Sequence, residues 1–427
     1  MVETDIMTRI MRCTSFCNCA GNFIGTRVRK VSRASSFGSY PGLANAFTTA
    51  TKSLRALWLL CLWILPVAAF AGPLPAPPQL SAQSYMLLDF NSGQVLAESN
   101  PDLRMEPASL TKMMTAYVVS REVDRGTVAW DDTVIISEKA QSMEGSRMFI
   151  EAGKEVKLWD LLKGLIIQSG NDASVALAEH VAGSEEGFVS IMNHTAEEIG
   201  MRDSNFMNAS GLPHEEHYTT TNDLAILSRA LISDYPQEYI LYAVRQFEFN
   251  NISQLNRNKL LWRDETVDGI KTGHTTAAGY CLVASAVRDD HRLISIVMGA
   301  KSEKVRADES QRLLNYGFRF FKTKRIYAAG ETVQEARIWM GQDDLLPLGV
   351  ENDWYVTVPR DEVDLLESQI QLSQYIKAPA RIGQQFGRAV LTSGDRVVGE
   401  VPLLALRKVK EGGVFTRVKH GILRYFQ

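Results

Sequence analysis

Between two β-rich stretches, near residues 84–99 and 279–299, this chain carries an unbroken series of helical patterns, and that order most constrains its fold. Tyr85-Met86-Leu87-Leu88-Asp89 reads as a strand, Asn91-Ser92-Gly93 as a turn and Gln94-Val95-Leu96-Ala97 as the return strand. Pro107 to Val119 reads as a helix with a proline near its start. Residues 158–182 hold two helical stretches around the turn Gln168-Ser169-Gly170-Asn171, and 184–200 and 221–233 continue the pattern. Two β-rich runs follow, Tyr280–Val287 and Leu293–Met298, joined by the polar turn Arg288-Asp289-Asp290-His291, and a helix is predicted over 308–321. Early and late strands can then pair into one antiparallel sheet with a helical cluster packed on it, an α+β arrangement.

From about Lys322 the pattern changes to short strands with turns: Thr332–Trp339, Trp354–Val358, Glu367–Leu372, Ala389–Leu391 and Val397–Leu404. A small all-β sandwich domain is expected there. The turn Glu411-Gly412-Gly413 opens a last segment, Val414 to Gln427. Phe415, Val418, Ile422 and Phe426 are spaced for one helix face, and Arg417, Lys419, His420 and Arg424 for the rest. A basic amphipathic helix on an acidic protein reads as membrane-surface attachment, the alternative being a helix packed on its own domain. The expected division is an extension with a signal peptide over 1–71, a first domain over 80–322, the β domain over 323–411 and the helix over 412–427.

Residues 1–71 hold eight of the Lys and Arg residues and only two acids. The 38 basic and 47 acidic residues that follow give no reason to expect nucleic-acid binding. Lys52 and Arg55 precede the apolar run Ala56–Phe70, and Ala69-Phe70-Ala71 fits a signal-peptidase site. The run is short for a membrane span, which needs ~20 residues, although an uncleaved anchor is the alternative. Residues 1–50 are Arg- and Ser-rich; they read either as a transit-like leader or as an over-extended start. Past the expected cleavage point only Cys281 remains, in an apolar run, so it is expected as a buried small hydrophobe with no disulfide.

Three short motifs carry the chemistry: Ser109-Leu110-Thr111-Lys112, Ser169-Gly170-Asn171 and Lys271-Thr272-Gly273. Each alone is weak; a lone Ser-x-x-Lys is more often a capping serine with a solvated lysine, and Ser-Gly-Asn is ordinary turn chemistry. In this order they form the signature of a serine acyl-transfer site. Ser109 and Lys112, three apart on a helix, share a face. Lys112 can act as base only when neutral, and burial plus a second cation, for which Lys271 is the candidate, would depress its pKa. Ser169 could relay a proton to the leaving group and Asn171 could hold a substrate backbone amide. Lys271 and Thr272 could bind a carboxylate, and Gly273 allows close backbone approach. The backbone N–H groups of His274 and Ser109 could form an oxyanion hole. His214-Glu215-Glu216-His217 is not a metal-binding His-Glu-x-x-His, no Gly-rich phosphate loop is present, and no metal or cofactor is expected.

With their surroundings these residues resemble the low-molecular-mass penicillin-binding proteins that are D-alanyl-D-alanine carboxypeptidases, the types numbered five and six in Gram-negative bacteria. The stretches are Pro107-Ala108-Ser109-Leu110-Thr111-Lys112-Met113-Met114, Gln168–Ala173, Leu255-Asn256-Arg257-Asn258-Lys259-Leu260-Leu261-Trp262 and Val267–Thr275. The similarity runs from about Tyr85 to the C-terminus. It implies a β-lactamase/transpeptidase-like catalytic domain that removes the terminal D-alanine from peptidoglycan stem peptides and is acylated by penicillin. It implies Ser109 as nucleophile, Lys112 as its base, Ser169, Asn171 and Lys271 in the second and third motifs, and Arg306 and Arg257 near the substrate carboxylate. It implies a periplasmic enzyme held on the outer face of the inner membrane. Some relatives carry His-Gly where this chain has Ser210-Gly211, which removes any histidine role there. No Glu-x-x-Leu-Asn lies between the second and third motifs, so a class A β-lactamase would lack its usual deacylating glutamate. A β-lactamase, a cross-link-cleaving endopeptidase and an inactive wall-binding scaffold are the competing readings.

Overall fold

The structure is a computed structural model that describes residues 74–425. The expected signal segment, the Arg- and Ser-rich start and Phe426 lie outside the described residues. Strands β1 (Ser84–Asp89), β2 (Val95–Ser99), β3 (Val267–Thr275), β4 (Gly279–Arg288) and β5 (His291–Ala300) form one antiparallel sheet in the order β2-β1-β5-β4-β3. Early and late strands pair as expected, with Leu87 opposite Ser295. Lys271-Thr272-Gly273, expected ahead of the strand at Tyr280, instead lies inside β3 at the open edge of the sheet. Two glycines and two charges in Val267–Gly273 hide that strand from a propensity reading.

Alternate side chains of each strand point to opposite faces. Met86, Leu88, Ile294 and Ile296 enter a core shared with helices α1 (Thr111–Asp124), α2 (Asn171–Ala182), α3 (Glu185–Ile199) and α4 (Thr221–Asp234). Tyr85, Leu87, Leu293 and Val297 enter a second core against Leu313 and Leu314 of α5 (Glu303–Phe320). A sheet covered on both faces explains why 293–298 reads as nearly continuous apolar sequence. Helix α5 starts five residues ahead of the expected 308 because Ser302 Oγ accepts the Val305 N–H and caps it there.

The C-terminal part is all-β, as expected. It comprises β6 (Phe321–Tyr327), β7 (Gln334–Arg337), β8 (Leu345–Gly349), β9 (Trp354–Pro359), β10 (Leu366–Leu372), β11 (Gln385–Ser393) and β12 (Arg396–Ala405). A five-stranded sheet, β7-β8-β12-β11-β10, accompanies the pair β6-β9. Strands β6 and β8 escaped the sequence reading; β6 follows α5 without a turn. Buried Asp89 ties the two parts together: its carboxylate accepts from Ser92 and from the Thr323 hydroxyl (2.7 Å), and Thr323 in turn meets Thr357 of β9 (2.8 Å).

The last helix, α6 (Val414–Tyr425), forms as expected. Its Val414, Val418, Ile422 and 93%-exposed Phe415 face outward. His420, expected among the solvated residues, is buried instead: its Nδ1 accepts the Met340 N–H (2.8 Å) and its ring meets Trp339 edge-on. At about 100° per residue His420 lies opposite the apolar stripe, so the helix rests on the β domain by its other side. Among the described residues no helix is long and apolar enough to cross a membrane.

Candidate active site

The predicted helix from Pro107 is split. Residues Ala108–Leu110 form a 3₁₀ turn, and α1 begins at Thr111. Ser109 therefore projects from the turn ahead of α1, and Lys112 from the first turn of α1. Ala108 has φ of 49°, a left-handed conformation that is sparsely populated for a residue with a Cβ. Ser169 is also left-handed, with φ 68° and ψ 36°, at the end of a π-helical turn Gly164–Gln168. This kink stops the chain, aims Ser169 sideways and restarts it as α2 at Asn171.

The three motifs converge. Lys112 Nζ lies 3.2 Å from Ser109 Oγ, 2.7 Å from Asn171 Oδ1 and within hydrogen-bond distance of the Ser210 carbonyl. Lys271 Nζ donates to Ser169 Oγ (2.8 Å) and to its neighbour's carbonyl at Thr272 (3.1 Å). A cavity of about 260 Å³ opens above them, lined among others by Ser109, Ser169, Thr272, His274, Arg257 and Arg306. Of the residues expected to carry the chemistry, Ser109, Ser169, Thr272, Gly273, His274, Arg257 and Arg306 line this cavity, Lys112 and Lys271 bond to Ser109 and Ser169, and the Asn171 N–H donates to the carbonyl of Ser146 in the lining.

Some positions differ in detail from expectation. Asn171 is engaged at both ends, since its Nδ2 donates to the Glu144 carbonyl (2.6 Å) while Oδ1 holds Lys112. Arg306 is buried and braces β3 from behind, donating to the Gly273 carbonyl (3.1 Å) and facing Glu303 (3.4 Å). Arg257 is exposed. It stands on a loop fastened by buried Asn256 and Asn258, the latter donating to the Gly269 carbonyl (3.0 Å). The exposed His274 ring stacks on Tyr280 with centroids 4.0 Å apart. Gly273 packs near the Pro107 carbonyl, where a Cβ would sit at 3.0 Å.

Burial lowers the Lys112 pKa to about 7, with Arg257 adding to the effect and Asp172 opposing it. Burial also lowers Lys271 well below its ordinary value, reinforced by Lys112, Arg257 and Arg306. The sequence expectation named Lys271 as the cation acting on Lys112; Arg257 takes that part, and Lys271 is itself depressed. The excess of cations suits the cavity to an anionic ligand.

Three contributors were not found by sequence reasoning. Asp172 is buried and accepts the backbone N–H groups of Met148, Phe149 and Ile150 (3.0, 2.8 and 3.3 Å), fastening the 144–150 loop whose Glu144 carbonyl holds Asn171. Ser210 acts through its backbone carbonyl, so its side-chain identity is of little consequence there. Gly211, with φ of 82°, lets this loop meet the Ala108–Leu110 turn; a Cβ would overlap the Ala108 carbonyl. His217 is buried beneath the same turn, its Nε2 3.0 Å from Thr111 Oγ1 and its Nδ1 beside Asn208. Its ring nitrogens face these two side chains. Cys281 is buried on β4, as expected, and burial raises its thiol to about 11.

Comparison with known proteins agrees with this geometry. Residues 73–302 match the family described as D-alanyl-D-alanine carboxypeptidase, and residues 321–411 match the C-terminal domain of penicillin-binding protein 5. The chain is 42% identical over 353 residues to D-alanyl-D-alanine carboxypeptidase DacA of Escherichia coli K12, covering 81% of this chain and 88% of the relative. It superposes on penicillin-binding protein 5 from Haemophilus influenzae with a TM-score of 0.76 and 40% identity, covering 79% of this chain and all of that one. Penicillin-binding protein D2 from Listeria monocytogenes, solved in its ampicillin-bound form, matches 57% of this chain at 30% identity, with a TM-score of 0.53. Converging serine–lysine geometry on a transpeptidase-like sheet, followed by the matching β domain, carries one conclusion: the chain belongs to the D-alanyl-D-alanine carboxypeptidase family of serine peptidases.

Proposed function

We propose that this protein removes the terminal D-alanine from peptidoglycan stem pentapeptides through an acyl-enzyme on Ser109, and that penicillin acylates the same residue. The arrangement of Lys112 carries the reading. A neutral amine has two N–H donors and one lone pair. The Asn171 oxygen and the Ser210 carbonyl take the two donors, which leaves the lone pair for the Ser109 hydroxyl 3.2 Å away. Lys112 then accepts the Ser109 proton as Oγ attacks the carbonyl of the penultimate D-alanine. The backbone N–H groups of Ser109 and His274 receive the oxyanion; His274 lies on an edge strand, one side of which has no strand partner. Lys271 donates into Ser169 Oγ, which turns the Ser169 proton toward the leaving amine. The released D-alanine carboxylate faces Thr272, Arg257 and Arg306 of the cavity lining, with Lys271 next to Thr272 on the same strand. Water then hydrolyses the ester.

In this reading the protein is exported to the periplasm and α6 holds it on the outer face of the inner membrane. Its exposed Val414, Phe415, Val418 and Ile422 and the charges of Arg417 and Lys419 support that placement. Mass spectrometry after incubation with penicillin tests the enzymatic reading. A long-lived adduct on Ser109, lost in Ser109→Ala together with D-alanine release, is expected. Rapid turnover of penicillin would favour a β-lactamase, and absence of any adduct a scaffold.

A further inference from the structure

The Ser210 carbonyl is one of the two acceptors that orient the Lys112 amine, yet it sits in the stretch between α3 and α4, outside any helix or strand. Such a carbonyl is aimed only as well as its loop is held. Half-buried Asn208 holds it. Its Oδ1 accepts the N–H groups of Gly211 (2.7 Å), Leu212 (3.1 Å) and Ser210 (3.2 Å), and its Nδ2 donates to the Leu212 carbonyl (2.9 Å). The Gly211 N–H and the Ser210 C=O belong to one planar trans peptide, so they point in opposite directions. Drawing the N–H onto Asn208 therefore turns the carbonyl toward Lys112 Nζ.

Contacts on either side pin the neighbours of this peptide. Thr115 donates to the Ala209 carbonyl (2.7 Å), and Thr111 Oγ1 meets His217 Nε2 (3.0 Å). The three accepted N–H groups fix the Asn208 amide with its oxygen toward the loop, so its nitrogen faces His217 Nδ1 (3.4 Å). An amide nitrogen only donates, which makes Nδ1 an acceptor and puts the ring hydrogen on Nε2, toward Thr111. Asn208 thus serves both points at which the loop meets the first turn of α1, and it does so without charge. The charged and titratable groups facing Lys112 are Asp172, which favours its ammonium, Arg257, which opposes it, and Lys271 across the cleft. His217, beneath the turn, is held down to about 4 and so is neutral above about pH 5.

We propose that Asn208 is a positioning residue for acylation: through the 210–211 peptide it aims a carbonyl at the Lys112 amine and so keeps the amine's lone pair on the Ser109 hydroxyl. The inference rests on the Lys112 base proposed above. Without the Asn208 side chain the peptide is free to turn, the lone pair loses its direction, and acylation slows. The ammonium form loses an acceptor as well. An acceptor stabilises the charged amine more than the neutral one, so the Lys112 pKa falls further. The rate plateau and the acid limb therefore move down together, a pairing that general loosening of the fold does not give.

The test is stopped-flow acylation of the full chain by a fluorescent penicillin from pH 5 to 9, with the melting temperature of each variant measured alongside. Asn208→Ala is expected to lower the plateau acylation rate at least about tenfold with the encounter constant unchanged, and to move the acid limb down by about half a pH unit. Asn208→Asp keeps an oxygen for the same three N–H groups. Its plateau is expected within about threefold of the parent's, with the acid limb at or above the parent's. An alanine variant within about threefold of the parent, or one slowed with its acid limb unmoved, overturns the assignment. Where the alanine variant fails to fold, the aspartate variant decides: a folded Asn208→Asp protein slowed more than about threefold overturns it. A parent protein that acylates with no acid limb near pH 7 would instead overturn Lys112 as the base.

Discussion

Acidification should switch off acylation through one residue, Lys112. Its amine is buried among Ser109, Asn171 and Ser210, and burial lowers its pKa from 10.5 to about 7. At neutral pH that shift raises the fraction of free amine by about a thousandfold over an ordinary lysine. The base is therefore available above pH 7 and lost below it. If acylation needs the neutral amine, the second-order rate with a fluorescent penicillin should fall about tenfold per pH unit below 7, to about a hundredth of its plateau at pH 5. Stopped-flow acylation from pH 5 to 9, with circular dichroism at each pH to verify the fold, measures this. Lys112→Arg should not acylate at any pH in that range, because its guanidinium stays protonated. A rate that varies by less than about threefold between pH 5 and 8, or an active arginine variant, would refute the general-base argument.

Three further outcomes are expected. The buried His217 imidazole has its pKa lowered by burial from 6.5 to about 4, so the unfolded chain binds a proton before the folded one and stability is lost as pH falls from 6.5 toward 4. That is about 2 kcal/mol by pH 5; urea unfolding should register it, and His217→Asn should flatten the slope. Asp172→Ala strips the acceptor from three backbone N–H groups of the 148–150 segment and should cost about 3 kcal/mol, with slower acylation as Asn171 loses its support; an unchanged denaturation midpoint would contradict this. Deleting residues 412–427 should release an active enzyme from membranes. Each exposed apolar anchor contributes at most about 1.5–3 kcal/mol and each cation about 1 kcal/mol near anionic lipid, enough for attachment without insertion. If the truncated protein still sediments with membranes, the anchor lies in 56–70.

The identity of the chemistry was written in the local sequence. Ser109–Lys112 needs only helix-type spacing to bring its two groups within 3.2 Å, and the apolar runs of β4 and β5 announce a buried sheet whatever lies around them. Hydrophobic periodicity likewise exposes α6, because a one-sided stripe is a property of the segment alone. What depends on a distant partner stayed hidden. Strand β3 exists because β4 pairs with it, although its glycines and charges argue against a strand. His420 has the composition of a solvated position and becomes buried only when Trp339 and Met340 receive it. Lys112 is held by Asn171, 59 residues away, and by the Ser210 carbonyl, 98 residues away, and its charge state is set by burial, Asp172 and Arg257. A pKa is set by desolvation and by charges close in space, and neither exists until the chain has closed around the lysine.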